Sequence, residues 1–121
     1  MAESAIQTKR TLLWINPSPT SSFAAQVISL DLSNFDEVEI VTKHNADTTN
    51  QAVMQKFAIS DGGGVITSFQ MNDTWYMRRV TLSSSGVTFA EGRYCYMANG
   101  QNGALNGTCI PVRIYGLRGG V

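Results

Sequence analysis

The chain has 121 residues, enough for one domain with its own core, since roughly two-thirds of the unfolded surface is buried at that size. Hydrophobic residues make up 43% and charged residues 15%, which excludes a disordered chain and calls for a surface rich in Ser, Thr, Asn, Gln and Gly. Nine basic residues balance nine acidic ones and no Lys/Arg run exceeds two, so the basic footprint that nucleic acid or an anionic membrane needs is missing.

The opening, Met1 to Arg10, is polar and aperiodic and reads as a flexible arm ahead of a single domain spanning residues 11–121. It has no apolar leader-type run, so assembly in a cytoplasm is expected, and no stretch approaches the ~18 apolar residues of a spanning helix. Thr11-Leu-Leu-Trp-Ile15 reads as a strand, stopped by a loop in which Pro17 and Pro19 remove backbone donors. In Phe23 to Leu32, Ile28, Leu30 and Leu32 alternate with Ser29 and Asp31, the period of a half-buried strand. A turn at Ser33 to Asp36 leads into Glu37 to Val41, and the two segments read as an antiparallel pair. Lys43 to Gln51 reads as a loop and Ala52 to Ser60 as a strand. After the Asp61-Gly-Gly-Gly64 turn come strands at Val65 to Phe69, Trp75 to Leu82, Val87 to Phe89, Arg93 to Met97 and Cys109 to Tyr115. Pro111 argues that the last is an edge strand. No segment carries a helical stripe, so the expected fold is all-β: an antiparallel β-sandwich or jelly roll of about eight short strands.

The stretch Asn99 to Cys109 holds three Asn-Gly steps. It lacks the lysine and hydroxyl of a phosphate-cradling loop, whereas Asn-Gly is the preferred centre of a tight hairpin turn. Turns at one end of a sandwich are therefore the first reading, and a loop whose amides hydrogen-bond sugar hydroxyls is the alternative. His44 is the sole histidine and reads as a solvated loop residue; Asp36, Glu37 and Glu39 read as a solvent face guarding a sheet edge. Cys95 and Cys109 read as reduced core thiols, with no CxxC or Cys/His cluster for structural zinc. No catalytic, cofactor or metal residues are indicated. The candidate ligand-binding residues are Trp75, Tyr96, Asn99, Asn102 and Asn106, although aromatics at such positions also serve as core or subunit interface.

Two stretches carry a resemblance: Thr11 to Ile40, opening Thr-Leu-Leu-Trp-Ile-Asn-Pro-Ser-Pro, and the ending Cys-Ile-Pro-Val-Arg-Ile-Tyr-Gly-Leu-Arg-Gly-Gly-Val. Together they resemble small β-rich virion proteins and fibre-tip modules of tailed bacteriophages. The resemblance implies a structural protein exposed on the virion surface, assembled with itself, as a homotrimer, and with other virion proteins. A tail-fibre or receptor-binding module that recognises host cell-surface polysaccharide is the first expectation. A capsid decoration or head-fibre protein attached through its N-terminal arm is the alternative, and a small glycosidase a remote third; the expectation is of a protein that is not an enzyme.

Overall fold

The computed structural model describes residues 9–46, 52–70 and 73–119. Its strands are β1 (Lys9–Ile15), β2 (Gln26–Ser29), β3 (Glu37–Asn45), β4 (Ala52–Ala58), β5 (Gly63–Gln70), β6 (Thr74–Ser83), β7 (Gly86–Tyr96), β8 (Asn102–Ala104) and β9 (Thr108–Arg118), with one 3-10 turn at Ile59–Asp61. They form two antiparallel sheets, β1-β9-β3-β4 and β2-β7-β6-β5, so the chain is an all-β sandwich. The short β8 shares the free edge of β7 with β2: β2 pairs with residues 86–89 and β8 with residues 93–95.

The core follows from alternation. Val38 and Ile40 of β3, Ile110 and Ile114 of β9, Ile66 of β5, Val80 and Leu82 of β6, and Val87 and Phe89 of β7 all point between the sheets and are buried. Each contributes about 1.5–3 kcal/mol by leaving water. At one end Phe23 packs edge-on against Phe89 at 5.4 Å and against Trp14 at 6.0 Å, closing the sandwich with a three-ring cluster.

Several expectations are corrected. The segments at residues 23–32 and 37–41 do not pair: β2 lies on β7, whereas β3 lies between β9 and β4 in the opposite sheet. The intervening turn is a corner. Leu32 plugs the core, and the Asp36 amide donates to the Leu117 carbonyl, which starts the second sheet. Alternation shows which side chains face inward and says nothing of which strand lies alongside. β9 is central, not an edge; Pro111 is accommodated because the β1 ladder stops at the Ile15–Arg113 pair, after which Asn16 Nδ2 donates to the Pro111 carbonyl at 2.8 Å. Lys43 and His44 belong to β3, which runs on to Asn45, and Lys9 and Arg10 belong to β1. The first eight residues of the expected arm and the remainder of the loop expected before residue 52 lie outside the described residues.

Glu39, expected on a solvent face, is only 6% exposed. Arg10 covers it, with Nη2 2.8 Å from its carboxylate, and the same guanidinium lies 3.5 Å from the centroid of the Tyr115 ring. His44 is likewise buried, its ring edge-on to Tyr76 at 4.7 Å and its Nδ1 3.5 Å from Ser68 Oγ. Both cysteines are free, but only Cys109 is a core thiol; Cys95 points out of the five-stranded sheet and is half-buried.

Candidate functional site on the outer face of the five-stranded sheet

Because side chains alternate along strands, register decides what shares a face. Phe69, Trp75, Cys95 and Asn102 stand opposite one another on β5, β6, β7 and β8 and form one rung. The next rung on the same face is Thr67, Met77, Arg93 and Ala104. Beyond it, Val65 faces Arg79, and on the other side of Arg79 the β7 strand carries two residues, Ala90 and Glu91, where one would fit. This is a β-bulge, which bends the strand and re-aims its side chains.

The first rung is an aromatic platform. Phe69 and Trp75 are 45% and 40% exposed, with ring centroids 4.7 Å apart. The bulge opens a cleft of about 270 Å³ beside it, lined by Val65, Met77, Ala90, Arg79, Glu91 and Arg93. Arg93 forms a close ion pair with Glu91 and donates through Nη2 to Asn102 Oδ1 at 3.2 Å, which links three planar polar groups on the same side of the sheet. Among the described residues nothing hydrogen-bonds or ion-pairs with the Arg79 guanidinium.

What holds this face in place is Arg78, whose side chain points the opposite way into the protein and is 0% exposed. Its Nε donates to the Cys109 carbonyl at 3.0 Å, Nη1 to Ala90 at 2.7 Å, and Nη2 to Thr108 at 3.0 Å and Asn106 at 3.2 Å. Burial lowers the guanidinium pKa to about 10, so it remains charged at neutral pH, balanced by carbonyl dipoles. One buried cation thus ties the bulge carbonyl to the turn that enters β9. Cys109 takes a left-handed backbone conformation there (φ 48°), and burial pushes its thiol up to about 11.

The five residues singled out from the sequence are not brought together. Trp75 and Asn102 share the first rung. Tyr96 pairs with Thr74 at the end of β7, on the opposite side of the sheet, with its ring 5.1 Å from that of Tyr94. Asn99 sits in the adjoining turn, its Oδ1 accepting from the Gln101 amide at 2.8 Å, while Gly100 supplies the positive φ of 72°. Asn106 is taken up internally: its Oδ1 accepts from the Gly92 amide at 3.0 Å, and its carbonyl accepts from Phe23 and Arg78. Asn99 and Asn106 sit in turns, as the turn reading of the Asn-Gly steps expects, whereas the middle step, Asn102-Gly103, lies within β8 and is corrected to a strand.

Sequence reasoning missed Phe69, Met77, Arg79, Glu91 and Arg93. The signal was the matched alternation Val65-x-Thr67-x-Phe69 against Trp75-x-Met77-x-Arg79, which puts these residues on one face once the hairpin register is known. Among the described residues no group of three or more His, Cys, Asp or Glu is placed to hold a metal ion. No family model, curated protein or solved structure matches the chain.

Proposed function

We propose that this protein is a structural protein of a tailed-bacteriophage virion, a tail-fibre or receptor-binding module that docks on host surface polysaccharide through the outer face of the β5-β6-β7-β8 sheet. The observation that carries the reading is the exposed Phe69–Trp75 pair on the same sheet face as the linked Arg93, Glu91 and Asn102 groups. A sugar ring has apolar C–H faces and a rim of hydroxyls. Aromatic side chains complement the faces, and planar carboxylate, guanidinium and amide groups complement the rim. The resemblance of residues 11–40 and 109–121 to small virion proteins and fibre-tip modules supports the same reading.

The face supports binding rather than hydrolysis. Glu91 is the only carboxylate carried by the described strands of this sheet, and cleavage of a glycosidic bond ordinarily needs two. A shallow cleft gives weak single-site affinity, which a trimer multiplies through avidity. In that assembly Leu12, Ile15 and Met54, exposed on the other sheet, serve as the contact between copies. The alternative of capsid decoration rests on the N-terminal arm, of which residues 1–8 lie outside the described residues.

The test is binding of labelled protein to a glycan array, comparing wild type with Trp75→Ala and Phe69→Ala. Both side chains are exposed, so each variant folds, and each loses about tenfold or more in affinity, equivalent to ~1.4 kcal/mol. Binding retained in both variants removes this face from the reading.

A further inference from the structure

Resting on the glycan-binding reading, we infer that the saccharide is acidic and longer than one sugar ring: it stacks on Phe69–Trp75, crosses the Met77 cleft, and meets Arg79 with a carboxylate or phosphate. Trp75, Met77 and Arg79 alternate on one face of β6, which places the platform and Arg79 ~13 Å apart along the strand. A single ring on the platform leaves Arg79 untouched; an extended chain running along β6 reaches both.

The charge of that second contact follows from what the neighbours have already spent. Glu91 is paired with Arg93, and Arg93 is further committed to Asn102. Arg79 alone among the charged groups lining the cleft lacks a partner among the described residues. The hydroxyls of a neutral sugar accept hydrogen bonds from the guanidinium but return no counter-charge for the water they displace. A carboxylate or phosphate instead receives the planar fork in a charge-assisted, bidentate contact. The sheet itself adds to the attraction. Its described strands carry Arg78, Arg79 and Arg93 against Glu91, and Arg78, buried directly behind the cleft, is balanced by carbonyls rather than by an acid. A buried cation with carbonyl dipoles but no acid beside it keeps a net positive charge, and its potential reaches the surface above it. Cavity size fits the assignment: about 270 Å³ accommodates a sugar unit between the two anchors and falls short of an enclosed drug-sized pocket.

The experiment uses the full chain on an array of bacterial surface glycans that includes neutral repeats, carboxylate-bearing repeats and phosphate-bearing repeats. The variants are Arg79→Gln, Arg79→Lys and Trp75→Ala, each checked for an unchanged thermal unfolding curve. The expected result is binding concentrated on acidic glycans, weakened by added salt, reduced about tenfold by Arg79→Gln and largely kept by Arg79→Lys. The carboxylate and phosphate arms then identify which anion Arg79 receives. Neutral and acidic glycans bound equally well, with no effect of Arg79→Gln and a loss on Trp75→Ala, overturns the acidic assignment while the platform reading stands. Absence of binding across the whole array overturns both.

Discussion

A guanidinium with no exposed surface, held by four carbonyl oxygens, is costly to misplace. Removing Arg78 strands the buried carbonyls of Thr108 and Cys109 and takes the donor from the half-buried carbonyls of Ala90 and Asn106. Arg78→Met therefore costs on the order of 3 kcal/mol in urea unfolding, whereas Arg78→Lys recovers only part of this because a point ammonium cannot span four acceptors. A loss below about 1 kcal/mol for Arg78→Met contradicts the clamp. His44 adds a pH dependence near neutrality. Burial lowers its pKa below the ordinary 6.5, so the native state binds fewer protons than the unfolded chain. Its contribution to stability is complete above the unfolded pKa and is lost as pH falls through the lower, folded value. Unfolding free energy accordingly declines as pH drops below about 6.5, and His44→Gln flattens that slope. Neither residue announced its role in the sequence. Nothing in the adjacent pair Arg78-Arg79 marks which of the two is buried; alternation along β6 sends one inward and one outward. The histidine reads as a loop residue because Lys43-His44-Asn45 is polar, although β9 runs alongside it and its ring meets Tyr76 and Ser68 of the facing sheet.

At the scale of elements, the strands were legible and their partners were not. The runs at Thr11 to Ile15, Val65 to Phe69 and Trp75 to Leu82 appear within a residue or two of their expected bounds. The alternation of Ile28, Leu30 and Leu32 with Ser29 and Asp31 holds in their burial, even though the segment turns a corner. Pairing depends on contacts far apart in the chain, such as β1 with β9, which no local pattern encodes. The bulge at Ala90–Glu91 was illegible for the same reason, because it exists only relative to β6. Gly92 marks it in hindsight: a side chain there would overlap the Leu105 carbonyl and lie 3.0 Å from Arg78 Nη2. Gly92→Ala is expected to destabilise by about 1–3 kcal/mol through displacement of β8 and the Arg78 clamp, read as a lower denaturant midpoint with an unchanged slope. A neutral result means that β8 moves freely on the β7 edge.

For the whole molecule, the sandwich exposes the sheet face proposed above to bind saccharide, and the buried Arg78 clamp ties the bulge behind that face to the entry of β9. The Asn-Gly turns, the clamp and the bulge all converge on β7 and its free edge, and the exposed aromatic rung lies across the same strands. With nine basic residues against nine acidic ones, the chain leaves specificity to a few placed groups rather than to a net charge. Of the candidate ligand residues, Trp75 and Asn102 share the face, while Tyr96, Asn99 and Asn106 belong to the end of the sandwich; aromatic and amide content alone does not distinguish a platform from a turn. The most direct test is an amide and indole chemical-shift map of the isotopically labelled protein, titrated with an oligosaccharide fragment of the best array ligand. The account predicts shifts centred on Phe69, Trp75, Met77, Arg79 and Arg93, including the Trp75 indole N–H. Shifts confined to residues 97–101, or to the outer face of the four-stranded sheet, contradict it.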